Sequence, residues 1–376
     1  MIYIACFAVS AAFAWFANKK AENKVLFYTF SVLSILSVVL LAGLRDFSIG
    51  IDTESYMTKK LYWDGAIKSA TLVDYIYDYI ITGYGEPFFA LLIGIVAQFT
   101  GDFSFFLTIA HGIIITCIYV GAFRLRKHIN PEWVLIIFYF LFFNHSLNGI
   151  RQYVAMAIIF AFLADLVQEK VLRFCIVVFC AMLFHTTALI AAGFLIIYFV
   201  IYPPKPLKIL NKISLFKRKV IFSAILSFAV LGFPLIIKLA VKLGLLNKRY
   251  LFIFEGKIEP AAIVMGMVAL GLFCVYYFSK EIRLKSELYD FFTMCSICYF
   301  IFLFLTFIVS YGKRISLYFG MADIVTLALI ESSQTDKKKK WLVRAGILGM
   351  IFVYWFYVYV FRNASATMPY SFVFEF

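Results

Sequence analysis

The stretch HSLNGIRQYVAMAII, residues 145–159, sets an arginine into one of the most apolar parts of a very apolar chain. It lies at the break between two apolar segments, 131–147 and 150–167. A bilayer hydrocarbon core about 30 Å thick needs roughly 20 such residues per crossing helix. The same pattern recurs from end to end, with further apolar segments at about 1–17, 25–44, 86–100, 104–123, 172–184, 186–201, 220–241, 260–279, 288–310, 315–330 and 345–361. Of the 376 residues 64% are hydrophobic and 20% aromatic, and the mean hydropathy is +0.93, which excludes an ordinary soluble domain. The expected fold is all-α, a polytopic integral membrane helical bundle forming one domain over 1–376. Segments 172–184 and 186–201 are too short to span and are expected as broken or re-entrant half-helices. Segment 1–17 lacks a basic flank and a small-residue cleavage site, so it reads as a retained helix.

A net charge of +14 suggests nucleic acid in a soluble protein, but here its distribution reports topology, and no nucleic-acid partner is expected. The stretches PPKPLKILNKISLFKRK (203–219) and TDKKKKWLVR (335–344) are placed in the cytoplasm by their basic residues. Propagation from these anchors puts NKKAENK, RLRKH, QEKVLR and KEIRLKSE on the same side, and the six loops hold 22 of the 35 Lys and Arg. Between the outer loop 45–85 and RLRKH parity demands an odd number of crossings, yet two apolar segments intervene. Segment 86–100 is therefore read as not spanning, which gives about twelve crossings and both termini outside. Seven cysteines fall in apolar runs as inert thiols, so neither disulfide nor metal nor cofactor is expected.

Under this topology few charges lie outside. Arg151 stands at the outer mouth of a helix pair, with Asn148 placed to cap the returning helix. A cation at a helix N-terminus opposes the dipole and favours an anion beside it, whereas snorkelling to the interface is the plain structural alternative. His185, between two half-length segments, either bonds backbone freed by the helix break or acts as a general base. His145 is its rival on that side, while His128 is cytoplasmic and His111 reads as a satisfied core residue. Lys313 and Arg314 open another inward-running helix, and Asp323 follows about 13 Å further along, where a buried carboxylate needs a partner. The loop 45–85 is acidic, carrying Asp46, Asp52, Glu54, Asp64, Asp74 and Asp78. Its aromatics Tyr56, Tyr62, Trp63, Tyr75, Tyr77 and Tyr79 suggest a surface laid on the membrane interface. Arg45, Arg151 and Arg314, with Arg249, form a constellation of guanidinium forks suited to a pyrophosphate held without metal.

Four stretches together, RDFSIGIDTESY (45–56) followed by EPFF (86–89), NGIRQYVAMAI (148–158), AMLFHTTALI (181–190) and KRISLYF (313–319), resemble the EpsG-type family of bacterial polysaccharide polymerases, relatives of the O-antigen polymerases. Ile51 and Thr187 depart from the usual family pattern, which has Thr near the aspartate and Ser beside the histidine. The resemblance implies an enzyme of the bacterial cytoplasmic membrane that joins oligosaccharide repeat units carried on undecaprenyl pyrophosphate at the outer face, making O-antigen, capsule or exopolysaccharide. It implies Arg151 and Arg314, with Arg45 in support, on the pyrophosphate. His185 is the first choice of base, with Asp52 or Glu86 as rival. Asp46, Asn148, Gln152, Tyr56 and Tyr318 are supporting residues, Asp46 orienting Arg45. The implied partners are the lipid-linked substrates, membrane lipids, and flippase and chain-length regulator proteins.

Two other classes compete. A flippase for lipid-linked oligosaccharides would show two similar halves, and no internal repeat is found. A membrane sugar acyltransferase would take its acyl group from the cytoplasm and would carry histidines there, where the sequence offers only His128.

Overall fold

The computed structural model describes residues 1–82, 85–204, 210, 212–244, 269, 288–306 and 312–374. The expected apolar segment 260–279 apart from Ala269, the basic stretch 280–287 and Arg249 lie outside them. Packing groups the chain into two compact units, Met1–Leu189 with Ile351–Phe376, and Ile190–Met350.

The first unit comprises α1 Ile2–Lys19, α2 Lys24–Gly43, the short α3 Thr53–Thr58, α4 Trp63–Lys68 and α5 Leu72–Ile81, then α6 Pro87–Thr100 and α7 Phe103–Arg124. It continues with α8 Pro131–Phe138, which passes through a π-helical turn, Tyr139–Phe143, into α9 Asn144–Ser146, and then α10 Ile150–Val167 and α11 Val171–Met182. The second contains α12 Ala192–Ile201, α13 Leu215–Lys242, α14 Tyr289–Leu305, α15 Gly312–Ser333 and most of α16 Lys337–Trp355. Among the described residues seven helices are long and apolar enough to cross a membrane, and Arg45 with Phe372 makes an isolated bridge rather than a strand. The chain is an all-α membrane protein.

Small polar residues let helices approach where the bilayer supplies no hydrophobic drive between them. Ser10 and Ser34 each donate to the other's carbonyl at 2.7 and 2.8 Å, locking α1 to α2. Gly43 faces Thr108 of α7 so closely that a Cβ there would lie 2.0 Å from the hydroxyl oxygen.

The pairing of α7 with α10 sets the direction of the unit. Arg124, at the end of α7, donates to the Ala161 carbonyl at 2.8 Å and pairs with the fully buried Asp165 near the end of α10. Arg173, at the start of α11, reaches the other Asp165 oxygen at 3.4 Å. The two long helices therefore run parallel, with their starts at the opposite end from this cluster. At 1.5 Å per residue Phe103 lies about 31 Å from the cluster level and Arg151 about 21 Å. Because α6 starts beside Arg151 and ends next to Phe103, both its ends belong to the same end of the unit. At 14 residues it is shorter than the seven helices long enough to cross.

Residues 45–82 fold into three short helices, and most of their aromatics turn inward. Tyr56, Tyr62, Trp63, Tyr75 and Tyr79 are buried, whereas Tyr77 is exposed. Ring centroids lie 5.0 Å apart for Tyr56 and Tyr62 and 6.0 Å for Tyr56 and Phe89, so the rings form a core over α6 rather than a membrane-facing belt. The C-terminal residues close over this layer. Asp46 N–H donates to the Ser371 carbonyl, Val373 N–H to that of Leu44, and Gly50 N–H, at φ +99°, to that of Ala366, at 3.0, 3.0 and 2.8 Å.

In the second unit Asp323 of α15 accepts from the Ser296 hydroxyl of α14 at 2.6 Å, which makes it the interhelical tether that a buried carboxylate there requires. Buried Glu331 is met by Arg344 at 2.6 Å and Lys340 at 3.4 Å. Arg218 caps the end of α12 by donating to the carbonyl of Val200 at 2.6 Å.

The Asp165 cluster yields a graded expectation. Arg124→Ala leaves a buried carboxylate short of its main partner and should cost about 3 kcal/mol. Arg173, at 56% side-chain exposure, should cost about 1 kcal/mol or less. Thermal unfolding of the two purified variants in one detergent checks the order.

Candidate active site

Glu86 sits immediately before Pro87, whose fixed φ and missing N–H suit the first position of α6. Its carboxylate is only 2% exposed. Burial of that kind demands compensation, and three donors from two other segments supply it. Arg151, from the first turn of α10, donates Nη1 to Oε2 at 2.6 Å. His185, just beyond α11, donates Nδ1 to Oε1 at 2.6 Å, and the Thr186 N–H reaches the same oxygen at 3.2 Å. An ionised carboxylate only accepts, which fixes Nδ1 as the protonated nitrogen. Burial pushes the Glu86 carboxyl up, but the His185 hydrogen bond and the Arg151 charge outweigh it and hold the group below the ordinary range.

The elements arrive at this point for local reasons. The Phe88 N–H donates to the Leu183 carbonyl at 3.0 Å, stitching the start of α6 to the turn after α11. From Arg173 to the end of α11 at Met182 is about 14 Å of helical rise, and the turn that follows brings His185 to Glu86. The site is thus recessed by about 10 Å below the start of α7. Aromatic faces wall it, the Arg151 guanidinium lying 5.4 Å from the Tyr62 ring centre and 5.9 Å from that of Phe89. Burial pushes the Tyr56 phenol up, with the Arg151 charge pulling against it.

The chemistry follows from what is left over. With Nδ1 held by Glu86, His185 Nε2 is buried and makes no hydrogen bond among the described residues. A carboxylate-oriented imidazole with its second nitrogen available is the arrangement of a general base. Arg151 keeps 17% side-chain exposure, and its charge is of the sign that draws an anion.

Of the residues singled out by sequence, Glu86, Arg151 and His185 therefore meet. The others do different things. Arg45 is fully buried and donates to the carbonyls of Ala42 at 2.7 Å and Leu147 at 2.9 Å, and burial lowers its pKa to about 10. Asp46 does not orient it, because its carboxylate accepts from Ser48 N–H at 2.9 Å and from the Ser48 hydroxyl at 2.5 Å, which together hold its pKa down. Asp52 is exposed outside the network, and its N–H donates to Asn148 Oδ1 at 3.3 Å. Asn148 does not cap α10, since Gly149 occupies that position; its Nδ2 donates instead to the Ser365 carbonyl at 3.1 Å. Gln152 is buried in the same first turn, and Tyr56 is buried beside Arg151. Arg314 and Tyr318 belong to the second unit, exposed and buried respectively in the early turns of α15. Sequence reasoning missed Thr186, whose contribution is a backbone N–H. It also missed the C-terminal clamp at Ser365, because 362–374 carries no periodic signal.

A family model described as the EpsG family matches residues 3–372, nearly the whole chain, and points to a membrane protein of the polysaccharide-polymerase type. No curated protein and no solved structure matches the chain.

A pH test follows from the carboxylate. A folded-state pKa held below the unfolded value of about 4.3 contributes stability that is present above that value and lost as pH falls through the folded pKa. Melting of the wild type should therefore fall more steeply below pH 4 than that of Glu86→Gln, which has no carboxylate to titrate. Parallel melting curves against pH would remove the ion pair from the account.

Proposed function

The chain belongs to the EpsG family, and on that premise we propose that it joins oligosaccharide repeat units carried on undecaprenyl pyrophosphate, at the outer face of the bacterial cytoplasmic membrane. The observation that carries this reading is the Glu86–His185–Arg151 network, which pairs a carboxylate-bound imidazole with a cation. A hydroxyl of the acceptor glycan gives its proton to His185 Nε2 while its oxygen attacks the anomeric carbon of the donor sugar. The bond from that carbon to the pyrophosphate oxygen breaks, and the electron pair leaves with the lipid pyrophosphate. Arg151 neutralises the charge developing on the leaving group, which replaces the general acid a glycosidase uses. Glu86 holds the imidazole and stabilises the imidazolium that forms, in the manner of a triad carboxylate. Arg314 is proposed as a second phosphate-binding arginine on its sequence context. Arg45, held by main-chain carbonyls, is assigned to positioning, and Asp52 to the loop that Asn148 anchors.

The flippase and acyltransferase readings predict different intermediates. In cells producing stably inserted Arg151→Ala or His185→Ala, long glycan chains should disappear while single lipid-linked units persist outside. Units trapped inside would support the flippase. Full-length glycan from both variants would overturn the assignment. Arg151→Lys should restore activity only in part, because an ammonium cannot supply the bidentate fork.

A further inference from the structure

The first turn of α10, which carries Arg151, has little of its own to hold it. Gly149 at the cap position has no side chain to accept from the leading N–H groups, and no acidic residue lies in the turn. A cation there adds to the positive end of the helix dipole, and both features favour fraying. The Asp165 cluster anchors the other end of α10, about 21 Å from Arg151, too far to fix the conformation of this turn. The residues just ahead of it, 144–149, are held instead by groups remote in sequence. Arg45 donates to the Leu147 carbonyl at 2.9 Å. Trp355 Nε1 donates to Asn144 Oδ1 at 2.8 Å, and Asn144 Nδ2 donates to the Thr367 hydroxyl at 2.9 Å. Buried Asn148 uses both ends of its amide, Oδ1 accepting from the Asp52 N–H at 3.3 Å and Nδ2 donating to the Ser365 carbonyl at 3.1 Å. The C-terminal segment is shaped to provide these partners. Asn363 Oδ1 accepts from the N–H groups of Thr367 and Met368 at 2.9 and 3.1 Å, and its Nδ2 donates to the Met368 carbonyl at 2.7 Å. The loop so closed presents Ser365 and Thr367 to the turn, and Tyr3 of α1 secures it by donating to the Thr367 carbonyl at 2.9 Å.

We infer that the C-terminal segment is a working part of the candidate site, and that Asn148 is the positioning residue through which it sets the Arg151 guanidinium against Glu86. The effect on turnover rests on the polymerase reading, whereas the placement of Arg151 stands apart from it. Asn148 lies three residues ahead of Arg151 and acts through the helix start between them. With the amide held, the turn ends in one conformation and α10 begins with Arg151 Nη1 on Glu86 Oε2. With it released, the uncapped first turn exchanges between helical and frayed forms, and charge on a leaving group is met for only part of the time. A carboxamide suits the task because it donates to one backbone carbonyl and accepts from one backbone N–H at once. An aspartate keeps only the accepting half.

The test uses the full-length protein and reads the placement of Arg151 directly, by phenylglyoxal modification of guanidinium groups in detergent followed by peptide mass spectrometry. Asn148→Ala and Asn148→Asp should each speed modification of Arg151 about fivefold, the population shift expected from losing one net hydrogen bond. Arg173, at the other end of the same unit, should react at its wild-type rate in every variant. Thr367→Val removes the hydroxyl that accepts from Asn144 and should speed modification of Arg151 about twofold, which decides the matter if both Asn148 variants melt early. In nanodiscs supplied with the native repeat unit on undecaprenyl pyrophosphate, the Asn148 variants should lower kcat about tenfold with KM within about twofold. In an Arg151→Lys background the same substitutions should lower kcat by less than about twofold, since two changes that act through one group are not additive. Modification of Arg151 at the wild-type rate in variants of unchanged melting temperature overturns the proposal. Equal acceleration at Arg173 overturns it as well, because it would mark general loosening. So do faster modification with unchanged kcat, and fully additive losses in the Arg151→Lys background. If the wild type polymerises nothing, the polymerase reading fails, and the placement of Arg151 is judged by modification alone.

Discussion

A carboxylate kept out of water is the constraint from which the site is built. Glu86, 2% exposed, could not remain ionised there without Arg151, His185 and the Thr186 N–H around it. Those donors come from two other places in the chain, the first turn of α10 and the turn after α11. The start of α6, the first turn of α10 and the turn after α11 must therefore meet at one depth. The same contact that satisfies the charge also orients the imidazole, so stability and chemistry share one hydrogen-bond network.

A second charge cluster fixes where that depth is. Asp165 ties the ends of α7 and α10 to the start of α11, and helical rise does the rest. Because α7 is longer than the part of α10 that faces it, Phe103 overshoots Arg151 by about 10 Å, and α6 must lean to join them. The layer of α3 to α5, with its inward tyrosines, then roofs the recess.

Two arginines in similar sequence surroundings end with opposite tasks. Arg45 spends its donors on the carbonyls of Ala42 and Leu147 and is wholly enclosed, which makes it a brace between the end of α2 and the α10 turn. Arg151 donates Nη1 to Glu86 and keeps 17% side-chain exposure. The difference lies in what surrounds each guanidinium. A carboxylate partner and residual access suit exchange with a phosphate, whereas main-chain partners and full burial do not.

The amino-acid sequence by itself determined the class of fold, because apolar runs of fixed length and the uneven placement of Lys and Arg are local properties that the bilayer reads directly. It also singled out Glu86, Arg151 and His185, since polar groups at helix breaks in an apolar chain are rare enough to name individually. What it left open was their relation. That Glu86 accepts a hydrogen bond from His185, that Asn148 is bonded to Ser365 and Asp52 rather than capping α10, and that Tyr56, Tyr62, Tyr75 and Tyr79 face inward were decided by tertiary structure alone. Each depends on contacts between residues far apart in the chain, many of them through backbone atoms, and backbone donors and carbonyls leave no mark in a sequence.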